Sequence, residues 1–243
     1  MFTFNGIHAS TYGIKVISIS RPPLPAIKNT FVEPPGRNGA YFAKSALGKR
    51  EISVKVKIKA ISQAALRTNA RNITKWLHNN RLEAPLIFDD EPDKVYTAIT
   101  DGTDWEEIFR FGDGTIQFIC ADPCAESSAA TDITLTSNGN KTINVMGTAD
   151  VLPVITITFT GATTNLSIKH VEKNEVIKLV KAFVSSDTLI IDCRKGFITL
   201  NGTNIMPALD LSSDFWSLYP GTNTINCTTF LGTMTLTYKD KWL

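Results

Sequence analysis

Apolar and polar positions alternate with a period of two along most of this chain, the spacing expected of strands with one buried face. The clearest run sets Ile52, Val54, Val56 and Ile58 against Ser53, Lys55, Lys57 and Lys59. It predicts a half-buried strand whose outer face carries three ammonium groups. Phe2 and Phe4 alternate in the same way with Thr3 and Asn5, and Ile155, Ile157 and Phe159 with Thr156, Thr158 and Thr160. Near the end, Met234, Leu236 and Tyr238 alternate with Thr235 and Thr237. Only one segment changes to helical spacing. Ser62 is a suitable N-cap, Leu66, Ala70, Ile73 and Leu77 recur on one helical face, and Asn79-Asn80 ends it.

Turn signals divide the strands. Arg21-Pro22-Pro23-Leu24-Pro25 leaves few backbone donors and reads as a stiff extended connector. Residues 33–40, Glu-Pro-Pro-Gly-Arg-Asn-Gly-Ala, exclude regular structure: the two prolines remove donors and Asn38-Gly39 favours positive φ. An acidic turn, Asp89-Asp90-Glu91-Pro92-Asp93, joins strands at Leu86 to Phe88 and Val95 to Ile99. Gly112-Asp113-Gly114 reads as the turn of a hairpin between Ile108 to Phe111 and Ile116 to Cys120. Asn201-Gly202, between Phe197 to Leu200 and Thr203 to Met206, is the strongest short hairpin signal. Asp122-Pro123 and the small polar stretch Glu126 to Ala130 place a domain boundary near residue 128. The expected architecture is mainly β: a barrel-like or sandwich-like domain with one helix over residues 1–128, then an antiparallel β-sandwich over residues 129–243.

Several of these segments together resemble a known family. An opening Phe-x-Phe-Asn-Gly (Phe2 to Gly6), a Tyr-Gly-Ile segment (Tyr12 to Ile14), the Arg-Pro-Pro run and the Pro-Gly-Arg-Asn-Gly turn precede the basic alternating strand. Phe88-Asp89-Asp90-Glu91 and Asp122-Pro123 follow in order. The set is similar to the distal tail proteins of long, non-contractile phage tails, with a looser match in the second half. One departure is Cys124, where the family often carries an aromatic after Asp-Pro. The resemblance implies a galectin-like fold for the second domain and a structural role in the virion. It implies a homo-hexameric ring at the far end of the tail, contacting the tail tube protein, a tail-associated adhesin or lysin, and a receptor-binding protein. The proline-stiffened segment from Phe31 to Lys49 is then a candidate arm, with Arg37 as its polar anchor. Pro35, Gly36, Arg37, Asn38, Gly39, Lys55 and Lys57 are the candidate interface residues.

Composition narrows the alternatives. In 243 residues, 25 Lys and Arg stand against 23 Asp and Glu, so the net charge of +2 supplies no strong field for nucleic acid or an anionic membrane. No leader precedes Met1 and no apolar run reaches the ~18 residues that span a bilayer, which predicts cytoplasmic synthesis without membrane insertion. Cys120, Cys124, Cys193 and Cys227 lack the spacing of a zinc site and read as thiols, with no cofactor expected.

Catalytic readings find little support. His8, His78 and His170 are far apart in sequence, and nucleophile elbows, zinc-binding helices and phosphate loops are missing. A glycosidase could draft Asp104, Glu106 and Glu107 beside Trp105, but Glu106 and Glu107 would point to opposite faces of a strand. Asp89, Glu91 and Asp93 imitate the start of a calcium loop, which Lys94 and Thr100 then break. The rival to a hub is a free-standing carbohydrate-binding adhesin module, with Trp216 and Tyr219 as candidate sugar contacts. Against it, Glu172 and Asn174 follow His170, and Ser217 and Leu218 follow Trp216, where a galectin-type sugar site needs other residues. Packing of Phe215, Trp216 and Leu218 in a core is the competing assignment for that segment.

Overall fold

The computed structural model describes residues 1–36, 38–108 and 111–243, and of Ile108 only the backbone. Arg37 lies outside the described residues, as do Phe109 and Arg110. The chain separates into two compact units, residues 1–128 and residues 129–242.

In the first unit the strands are β1 (Phe2–Phe4), β2 (Ile7–His8), β3 (Ile14–Ser20), β4 (Ile27–Val32), β5 (Tyr41–Leu47) and β6 (Arg50–Lys59). After the helix α1 (Gln63–His78) come β7 (Ala84–Phe88), β8 (Glu91–Ile108), β9 (Phe111–Cys120) and β10 (Ala125–Ser127). Antiparallel pairing runs β2-β1-β7-β8-β9-β6-β3, and β10 adds to β8. Strands β4 and β5 stay out of that sheet and pair only with each other.

The helix forms where its pattern requires. Ser62 Oγ accepts the Ala65 N–H at 3.2 Å, satisfying one of the first-turn donors that no helical carbonyl can reach. At the other end Asn79 turns left-handed at φ 35°, a conformation that asparagine tolerates better than most residues. Thr100 Oγ1 donates to the Leu77 carbonyl at 2.8 Å, so β8 helps to close that end. Leu66, Ile73, Trp76 and Leu77 are buried against the sheet. Trp76 Nε1 donates to the Phe4 carbonyl at 3.0 Å, and its ring stacks on Phe2 and on Tyr12 with centroids 5.9 and 5.0 Å apart. The indole thus ties helix to strand through both its polar tip and its face.

Strand β6 follows its sequence pattern closely. Ile52, Val54, Val56 and Ile58 are buried, and Lys55 and Lys59 are exposed. Two other expectations need correction. The acidic turn shrinks to Asp89-Asp90, because β8 already begins at Glu91 and runs on to Ile108, with a register shift between Thr100 and Gly102. Gly112-Asp113-Gly114 is not a turn: all three residues lie inside β9, opposite Glu107, Glu106 and Trp105. The reason is a close approach. A Cβ on Gly112 would stand 2.2 Å from the Trp105 ring, and one on Gly114 only 2.4 Å from the Asp104 carbonyl oxygen. These glycines make room for an indole on the neighbouring strand.

The second unit packs two antiparallel sheets. Its strands are β11 (Thr131–Leu135), β12 (Gly139–Val145), β13 (Val154–Phe159), β14 (Thr163–His170), β15 (Glu175–Phe183), β16 (Thr188–Asp192), β17 (Phe197–Leu200), β18 (Thr203–Asn204), β19 (Gly221–Thr228) and β20 (Gly232–Tyr238). One sheet has the order β11-β20-β13-β16-β17-β18, the other β12-β19-β14-β15. The alternating residues face one shared core, in which Phe159 and Phe183 stack with centroids 4.5 Å apart. Asn201 and Gly202 take φ 50° and 79° and make the tight turn between β17 and β18. Strand β18 then stops at Asn204, and Met206–Ala208 forms a short 3-10 turn instead of continuing it.

Candidate functional site: the projecting arm

Strands β4 and β5 form a hairpin whose residues are exposed along both strands. Its base is closed by the Gly48 N–H donating to the Ala26 carbonyl at 2.6 Å. A side chain at residue 48 would crowd that bond, since a Cβ there would be 3.1 Å from the same oxygen. Cross-strand partners are Ile27 with Leu47, Phe31 with Phe42 and Val32 with Tyr41. Each of these six is at least 46% exposed, and the Phe31 and Phe42 rings touch edge to face at 5.9 Å. A two-stranded hairpin is marginal in water by itself and gains stability when a third layer covers it. Here three apolar cross-strand pairs await such a layer.

The arm differs from the segment read out of the sequence. It starts at Ile27 rather than Phe31, and Tyr41–Leu47 is a strand to which the sequence reading assigned no element. Pattern alone hides this, because the arm's apolar residues do not alternate toward any core of their own chain. The loop at its tip agrees with the reading of residues 33–40: Gly36 and Gly39 take φ 78° and 93°, and Pro35, Gly36, Asn38 and Gly39 sit in turns and bends. The anchoring role suggested for Arg37 falls on a residue outside the described ones.

Lys55 and Lys57 stand on the body, away from the arm's tip in sequence and on β6. Lys57 lies 3.5 Å from Asp113 and 5.1 Å from the Phe111 ring centroid. Lys55 lines a shallow cleft with Ile17, Asp104, Glu106 and Asp113. The candidate interface residues therefore fall into two groups, a loop at the arm tip and a stripe on the sheet.

Other candidates resolve differently. Trp216 is 1% exposed, in the core of the second unit, so neither ring face is open to a sugar. Tyr219 is half-buried, and both rings flank His170 at 5.7 and 5.6 Å. His170 is itself fully buried and sits 2.9 Å from Asn223 Oδ1, while the Asn223 amide donates to the Tyr219 and Gly221 carbonyls. This network holds the loop before β19 together, and the sequence search for catalytic histidines had no signal for it. At the β7–β8 turn the carboxylates are matched by cations: Asp90 and Glu91 lie 2.6 and 3.0 Å from Arg21, and Asp89 lies 3.2 Å from the Met1 ammonium. Arg21 also covers the Phe88 ring at 4.8 Å. Alternation along β8 sets Glu106 and Glu107 on opposite faces of the sheet, as their adjacency implied, while Asp104 and Glu106 share the cleft that Lys55 lines. Burial pushes the Cys120 thiol up to about 11 and those of Cys193 and Cys227 up to about 12, so these three stay protonated and unreactive near neutral pH.

Comparison with known proteins fits this anatomy. Residues 7–120 match the phage tail protein RIFT-related domain, and residues 146–242 the C-terminal domain of the siphovirus-type tail component. The distal tail protein of Bacillus phage SPP1 is 30% identical over 210 residues, spanning 84% of this chain and 81% of that protein. The chain belongs to the distal tail protein family. The crystal structure of the SPP1 Dit protein, described as a hub of the adsorption apparatus, superposes over 100% of both chains with a TM-score of 0.85 at 21% identity. That superposition shows a common fold for the family across both units. A chain of the phage P2 baseplate aligns less closely, at 9% identity and a TM-score of 0.47 over 94% of this chain and 90% of that one.

Proposed function

We propose that this distal tail family member builds a six-membered ring at the far end of a long, non-contractile phage tail, joining the tail tube to the adhesion apparatus. Residues 1–128 form the ring-making domain and residues 129–243 an outward domain that holds tip components. The observation that carries the proposal is the arm: a hairpin outside the main sheet that exposes Ile27, Phe31, Val32, Phe42 and Leu47. A ring needs two different patches per copy, one meeting the other on the next copy. An arm that leaves its own body and carries apolar side chains supplies one of them, and exposed apolar surface of this kind marks association sites.

The role is structural, with assembly and transmission of load in place of turnover. Partners are the tail tube protein on one side, a tail-associated adhesin or lysin on the other, and a receptor-binding protein outside. The arm loop, through Pro35, Gly36, Asn38 and Gly39, and the β6 lysines Lys55 and Lys57 are the proposed contacts between copies.

Mass and symmetry of the purified protein test this directly, by light scattering and negative-stain imaging of one sample. Six-fold rings with an open centre are expected. A chain that stays monomeric at every concentration, alone and with tube protein, would overturn the proposal.

A further inference from the structure

Beneath Trp105, between α1 and the sheet, lies a cavity of about 160 Å³ lined by Ile14, Val56, Ala70, Ile73, Leu77 and Trp105, with threonines and Asp104 at its rim. A cavity of about 150 Å³ with aliphatic walls accepts a benzene ring. The Trp105 Nε1 is buried with no hydrogen-bond partner, so the indole is held in place at a desolvation cost that its own chain leaves uncompensated. No arm residue lines the cavity.

The layout of β6 separates the root of the arm from the cavity. The arm returns to the body through Gly48 and Lys49 and enters β6 at Arg50, while Ser20, where the chain leaves for the arm, pairs with Ser53 at that same end. The cavity lies further along, at Val56 and at Ile14, which pairs with Ile58. Six residues of strand separate Arg50 from Val56, about 20 Å. Phe31 and Phe42 belong to a hairpin that is exposed along both strands. Plug and socket therefore belong to opposite ends of the same strand, as a head-to-tail contact between copies demands.

We propose that the cavity under Trp105 is the socket for an arm phenyl ring, that of Phe42, from a second copy of this chain. The inference rests on the ring reading above and adds the receiving surface to it. Phe42 is the more exposed of the edge-to-face pair, at 61% against 57% for Phe31. A phenyl ring matches the volume of the cavity, and seating it would remove apolar surface from water on both copies.

The test compares the wild-type chain with Ala70→Leu, which fills the cavity from the helix, and Phe42→Ala, which removes the plug. Each variant is first checked for the wild-type circular dichroism spectrum. Sedimentation across a concentration series is expected to show assembly weakened at least about tenfold by either change. A mixture of Phe42→Cys chains and Thr115→Cys chains, both in a Cys124→Ser background, should give a covalent dimer with a short bismaleimide, while neither alone does. Should Ala70→Leu not fold, Phe42→Ala and the mixed cross-link decide the matter, since both alter exposed or rim positions. Wild-type rings that tolerate Ala70→Leu and give no mixed cross-link would overturn the socket and leave the ring standing. A wild-type chain that never assembles would overturn both.

Discussion

Two hairpins of the first unit place large aromatic side chains in opposite situations. In β8–β9, Trp105 turns inward and lies across Gly112 and Gly114 of the adjacent strand, which have given up their side chains to admit it. In β4–β5, Phe31 and Phe42 meet each other edge to face and stay 57% and 61% exposed. Alternation announces neither pairing, since Gly112-Asp113-Gly114 carries turn residues and the apolar residues of Tyr41–Leu47 follow no core-facing period. What separates the two is the residue opposite. Glycines facing a tryptophan mark a contact made within the chain; aromatic facing aromatic, with both rings more than half exposed, leaves apolar surface open to water.

The comparison breaks most sharply if the arm is removed. Replacing residues 27–47 by a short Gly-Ser linker is expected to abolish assembly while leaving the stability of the monomer nearly unchanged, because no arm residue contributes to either core. Light scattering reads the first quantity and urea unfolding the second. Loss of monomer stability by more than about 1 kcal/mol would mean that the arm packs on its own body after all. Gly114→Ala is the converse experiment on the inner hairpin. Its new methyl group would sit 2.4 Å from the Asp104 oxygen and 2.8 Å from Trp105 Cε3, so overpacking is expected to destabilise the unit by about 2–3 kcal/mol. Urea unfolding with an unchanged slope measures it, and a loss below about 0.5 kcal/mol would show that the strands part easily there.

Between these extremes stands the helix, whose stabilising features were legible in the sequence. Ser62, the apolar face from Leu66 to Leu77 and the stop at Asn79 all take the positions their spacing implied, because caps and helical periodicity are local. Ser62→Ala is expected to cost about 1 kcal/mol in thermal or urea unfolding, with assembly intact. Strand β6 was equally legible, since its buried residues repeat every second position. Non-local features were not. Gly112-Asp113-Gly114 carries every mark of a turn until Trp105, seven residues before its first glycine in sequence, is found lying over it. Trp216 stood between sugar contact and core in the sequence, and burial at 1% exposure decides for the core. The Tyr41–Leu47 strand escaped because its apolar residues answer to no periodicity of their own unit.

The smallest effect sharpens the comparison most finely. Lys57 and Asp113 are 3.5 Å apart with 44% and 40% of their side chains exposed, so water screens the pair and the Coulomb gain barely exceeds the entropy of holding a lysine still. Lys57→Ala should therefore change the unfolding free energy of the monomer by less than about 1 kcal/mol, within reach of ordinary surface substitutions. Any larger consequence has to come from outside the chain. If Lys57→Ala leaves folding untouched yet weakens assembly, with the effect shrinking as salt is raised, then the β6 stripe belongs to the proposed contact between copies. If assembly is equally insensitive, the three lysines are a solvated face, and the contact between copies is carried by the apolar side chains of the arm.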